Sequence, residues 1–139
     1  MKEESLSKPF KDITAGDIKQ ECILVEDLLE VAKAKPSLFI IARLIASLIV
    51  EKTLRHILYK EYKTITKIKF SVLIDKAYQN KIIDSDIAFQ FKALKEFRNA
   101  SVHHGLLNIT EEKQLMPIHE IVQQVHQLLD NFTLANEKY

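Results

Sequence analysis

The sequence predicts an all-α fold, an antiparallel bundle of four to five helices. Three observations lead there. Only two glycines and three prolines occur in 139 residues, too few tight-turn residues for a sandwich or barrel. Apolar residues recur at helical spacing in successive segments, most clearly in the last. A run from Leu38 to Val50, interrupted only by Arg43 and Ser47, is apolar almost all round, which suits a helix buried at the centre of a fold.

Taken in order, residues 1–13 are polar and are expected to form a flexible N-terminal segment, leaving 14–135 as a single domain. Thr14 or Asp17 can open the first helix, whose apolar positions are Ile18, Cys22, Val25, Leu28, Leu29 and Ala32. Pro36 stops it, and Ser37 can cap the next helix, Leu38 to Tyr59. Its second half, "EKTLRHILYK", is amphipathic and emerges into solvent. "YKTITKIK" alternates weakly and reads as an extended connector, because no partner strand is visible. A third helix fits Phe70 to Asn80, with Phe70, Leu73, Ile74, Ala77 and Tyr78 on one stripe. "NKIIDSD" is a turn, and Asp84, Ser85 or Asp86 caps a fourth helix carrying Ile87, Phe91, Leu94 and Phe97. Gly105 marks its end. Thr110-Glu111-Glu112 can start a short helical turn. Pro117 suits the first turn of the last helix, which carries Ile118, Ile121, Val122, Val125, Leu128, Leu129 and Phe132. Short loops between such helices make neighbours antiparallel.

Composition narrows the function. A net charge of +1 gives no global sign of a nucleic-acid or membrane partner. The charge is uneven, however. Arg55, Lys60, Lys63, Lys67 and Lys69 face a single Glu61 within fifteen residues, a run that is either plain solvated surface or an RNA contact. The lone Cys22 cannot form an intramolecular disulfide, and its phase with Ile18, Val25 and Leu29 predicts a buried small hydrophobe in a reducing compartment. The N-terminus lacks the apolar core of a secretory signal. The longest apolar run is shorter than the ~20 residues a membrane-spanning helix needs. A soluble cytoplasmic protein without a membrane partner is the expectation.

No glycine-rich phosphate loop, C-x-x-C, H-E-x-x-H or G-x-S-x-G occurs. His119 and His126 stand about two helical turns apart, roughly 10 Å, too far to share a metal unaided. His56 falls on a charged helix face. No metal and no cofactor are expected.

The remaining candidate is "FRNASVHHG", Phe97 to Gly105. One reading is a helix end: Arg98 complements the dipole, Asn99 is tolerated there, and Gly105 supplies the turn. The other is a site for phosphodiester chemistry, in which a histidine moves a proton and a guanidinium holds the phosphate. On one continuous helix Arg98 and His103 point ~140° apart. They converge only if the helix ends or bends near Ala100, or if two protomers bring their motifs together. Both side chains are expected to be exposed.

"KEFRNASVHHG" resembles the signature of the HEPN superfamily, R-x-x-x-x-H with an asparagine directly after the arginine. The helical layout and the long apolar second helix with an acidic residue, "FIIARLIASLIVEKTLRHIL", are similar too, and the likeness covers roughly residues 20 to 133. Within the superfamily the form is most similar to domains attached to restriction-enzyme subunits, and the mannitol-operon repressor family has a related layout. The resemblance implies a metal-independent ribonuclease of a toxin–antitoxin or phage-defence system. RNA would be the substrate, the protein would be a homodimer, and an antitoxin or defence protein would be a partner. It would make Arg98 the stabiliser of the phosphorane, Asn99 an orienting residue and His103 the proton-transfer group. His104 is close enough to substitute, and Glu51 is a weaker candidate for orienting Arg98. Where toxins paired with a nucleotidyltransferase antitoxin carry a modifiable tyrosine, this chain has Gly105, so regulation by that route is not expected. A non-catalytic interaction or regulatory module on the same fold is the alternative.

Overall fold

The computed structural model describes residues 13–59, 68–105 and 116–132. They form five helices: α1 (Ala15–Ala34), α2 (Leu38–Leu58), α3 (Phe70–Gln79), α4 (Ser85–His104) and α5 (Ile118–Phe132). Helix accounts for 84% of the described residues, with no strand among them. Residues 1–12 of the expected 1–13 segment, most of the 62–69 connector and the turn at Thr110 lie outside the described residues.

Helices α1 and α4 begin on side-chain caps. Thr14 caps α1 in a reciprocal box: its hydroxyl accepts from the Asp17 backbone N–H, and the Asp17 carboxylate accepts from the Thr14 N–H. Asp84 caps α4 by accepting from the Ile87 N–H at 2.8 Å. Ser37 occupies the N-cap position of α2, but its side chain makes no capping hydrogen bond, because its backbone is already α-helical. The entry to α2 is held instead by backbone bonds from the Leu38 and Phe39 N–H groups to the Lys35 and Pro36 carbonyls. The close of α3 is a Schellman motif. The Ile82 N–H reaches the Ala77 carbonyl, the Lys81 N–H reaches Tyr78, and Lys81 takes a positive φ of 59°.

The apolar pattern becomes the core. Ile18, Cys22 and Val25 of α1, Leu54 and Leu58 of α2, Leu73 and Ile74 of α3, Phe91 of α4 and Leu129 of α5 are fully buried. Tyr78, expected on the buried stripe of α3, is half exposed. It sits beside Ala77, which takes the buried position in the last turn of α3. Helix α2 packs against each of the other four, as its nearly all-round apolarity predicts. Its buried polar residues satisfy themselves locally: the Ser47 and Thr53 hydroxyls donate to the Leu44 and Ile49 carbonyls. Arg43 is buried and donates to the Met116 carbonyl at 2.7 Å, tying the start of α5 to the start of α2. The Lys19–Asp130 pair joins the start of α1 to the end of α5. Helix α5 therefore runs with α2 and against α1.

Candidate functional site

The candidate site forms where α2, α4 and the start of α3 meet. Helix α4 is unbroken from Ser85 to His104. Nothing in this stretch interrupts a helix: the Ser101 hydroxyl donates back to the Phe97 carbonyl, and the Gly105 N–H closes onto Ser101. Gly105 ends it at φ 81° and ψ 152°, a conformation that glycine alone takes readily. The bend near Ala100 that would let one chain's Arg98 and His103 converge does not occur. They diverge by ~140° on one helix.

Arg98 does not serve the helix end either. It lies more than a turn before the C-terminus, outside the reach of the dipole, and it is not exposed as expected: its side chain is 20% accessible. Its Nη1 bonds Glu51 Oε1 of α2, and its guanidinium stacks over the Phe70 ring at 5.0 Å. Burial between three helices drew the side chain inward because a carboxylate waits there.

Glu51 holds a second guanidinium. Arg55 Nη2 meets Glu51 Oε2 at 2.7 Å, and Arg55 Nη1 donates to the Ile68 carbonyl at 2.7 Å, securing the chain just before α3. Burial alone would raise the Glu51 pKa. The hydrogen bonds and charges of Arg55 and Arg98 outweigh it and hold the carboxyl below its ordinary value.

These residues line a polar, half-open cavity of about 290 Å³ with Lys69, Phe70, Ser71, Lys95 and Asn99. Of the expected site residues, the structure brings together Glu51, Arg55, Lys69, Arg98 and Asn99. His103 stays outside the lining, exposed on α4. It nevertheless stands four residues beyond Asn99, and Asn99 four beyond Lys95, so the three share one stripe of the helix. Lys60, Lys63 and Lys67 lie outside the described residues, as does the side chain of His104. Phe70, Ser71 and Lys95 escaped the sequence reading. The four-residue spacing of Lys95, Asn99 and His103 was the available signal; the contribution of α3 had none, because it depends on how the helices pack.

The described residues contain no group of three or more histidine, cysteine or acidic side chains that could hold a metal ion, and no helix among them is long and apolar enough to cross a membrane. No protein-family model matches the chain, and no curated protein or solved structure matches it.

Proposed function

We propose that this protein is a metal-independent endoribonuclease that holds RNA at the α2–α4 cavity and cleaves it by attack of the 2′-hydroxyl on the adjacent phosphate, leaving a cyclic phosphate. The observation that carries this reading is the cation-lined cavity around Arg98, continued along α4 by the Asn99–His103 stripe. Glu51 fixes one arm of the Arg98 fork, and the cavity-facing remainder neutralises the phosphorane. Asn99 orients the phosphate and His103 transfers the proton. Because Arg98 and His103 of one chain diverge, the reaction uses two copies whose α4 helices face each other, so the active form is a homodimer. Control by an antitoxin or defence partner fits an RNase of this kind.

The test is incubation of purified protein with total RNA in excess chelator. Cyclic-phosphate-ended fragments are expected. His103→Ala should lower the rate by about 10²–10⁴-fold, the usual contribution of general acid–base catalysis. Arg98→Lys should also slow cleavage, because it loses the planar fork, and His104→Ala should be milder than His103→Ala. Equal background turnover by wild type and variants would overturn the reading.

The packing of Arg98 between Glu51 and Phe70 favours a second reading, a non-catalytic interaction or regulatory module in which Arg98 is a structural pillar. Under it, Arg98→Lys lowers stability, and neither wild type nor variant turns over RNA.

A further inference from the structure

The strongest unassigned feature is the charge and shape of the cavity beyond Arg98. Four cations line it, Arg55, Lys69, Lys95 and Arg98, drawn from α2, α4 and the residue that precedes α3. Two carboxylates answer them. Glu51 binds both arginines, and the exposed Glu96 pairs with Lys95 at 2.8 Å. With Glu96, which pairs with Lys95 from outside the lining, the balance is two positive charges around one half-open space, on a chain whose total is +1. The opening turn of α3 adds to this. Its N-cap, Lys69, makes no side-chain cap, no acidic residue lies in its first turn, and Lys69, Phe70 and Ser71 line the cavity. Backbone N–H groups and the positive end of the helix dipole therefore favour an anion on the same side.

A phosphodiester carries one negative charge. A phosphate monoester carries about 1.5–2 at pH 7, with a second pKa near ~6, and matches this balance better. The cavity is also small for a nucleotide, at the low end of the ~300–1,000 Å³ of ligand pockets. Its single aromatic ring, Phe70, is 3% exposed and covered by Arg98, so no base can stack on it. What fits is a phosphoryl group without its base.

We propose that the cavity holds a subsite for a terminal phosphate monoester beside Arg98, formed by Lys69, Lys95, the Ser71 hydroxyl and the first amides of α3. It deepens and rests on the reading of this cavity as an RNA site: the preferred strand carries a phosphate at its end, seated on the Lys69 and Lys95 side, while the scissile phosphate lies against Arg98 and Asn99 on the side toward His103. The same chemistry could come from a small phosphate monoester.

The experiment uses the full chain and a short 2′-O-methyl RNA, which cannot be cleaved, so loss of nuclease activity does not affect it. Binding is measured by calorimetry for the same strand with a 5′-phosphate, a 3′-phosphate or hydroxyl ends, and for glycerol phosphate alone. One phosphorylated end should bind at least about tenfold more tightly than the hydroxyl-ended strand. That advantage should shrink as pH falls from 7.5 to 5.5, because a monoester gains a proton there and a diester does not. Lys69→Ala alters an exposed side chain and Lys95→Ala a part-buried one; both should erase the advantage, whereas Lys33→Ala should leave it intact. Glycerol phosphate binding as tightly as the strand would support the subsite and assign it to small monoesters. Equal affinity for phosphorylated and hydroxyl ends, or a preference unchanged in both lysine variants, would overturn the proposal, and neither result would bear on whether RNA is cleaved.

Discussion

Glu51 is the residue on which the site turns. One carboxylate orients two guanidiniums, and its pKa lies below the ordinary 4.5 for that reason. The folded chain therefore holds fewer protons on this group than the unfolded chain does. The stability it contributes is present above pH 4.5 and is lost as pH falls through the lowered folded value. Glu51→Gln should cost roughly 1.5–3 kcal/mol at pH 7, the range for hydrogen bonds to charged groups. Urea titrations at pH 7, 4.5 and 3 should show the gap between wild type and variant narrowing at the acid end; a constant gap would remove the charge from the explanation. Cys22 shows the opposite sign. Burial, then Glu26 and Glu21, push its thiol up to about 11, with Lys19 opposing them. It should resist a thiol-specific reagent at pH 8 in the native protein and react at once in denaturant. Rapid native labelling would mean that α1 opens readily.

At the scale of the element, the helix ends make unequal contributions. Thr14 takes part in a two-way box, whereas Ser37 only occupies the cap position. Thr14→Ala should therefore cost about 1 kcal/mol and Ser37→Ala close to nothing. Similar losses for both in thermal or urea unfolding would contradict the assignment. Lys81 holds a left-handed conformation that closes α3. A side chain is strained there, so Lys81→Gly should stabilise the protein by about 0.5–1 kcal/mol. No change would mean that the unfolded state's gain in freedom cancels the relief. The close of α3 bears on the site, because α3 delivers Phe70 to Arg98.

At the scale of the whole molecule, α2 organises everything else. It touches all four other helices and carries both Glu51 and Arg55. The unbroken α4 makes the nuclease reading depend on assembly, since a single chain cannot aim Arg98 and His103 at one phosphate. Sedimentation at micromolar concentration should therefore show a dimer, and mixing inactive Arg98→Lys and His103→Ala chains should restore part of the activity if each active centre draws on both copies. A monomer that still cleaves RNA at wild-type rate would end the two-copy mechanism.

Legible in the sequence alone were the all-α class, a bundle of four to five helices with most starts placed to within a residue or two, the central place of α2 and the burial of Cys22. These follow from periodicity and from capping residues, which act within a few positions along the chain. The sequence also marked Glu51, Arg55, Lys69, Arg98 and Asn99 individually. Packing, not local pattern, brings them to one cavity, turns Arg98 inward to Glu51 forty-seven residues away, ends the open question of a bend near Ala100 and leaves His103 on the outer stripe. Phe70, Ser71 and Lys95 joined them for the same reason. Local pattern specifies which face of a helix is buried. Which charged residues meet across the seams depends on how the helices are rotated against one another, and that is settled by the packing of the whole core.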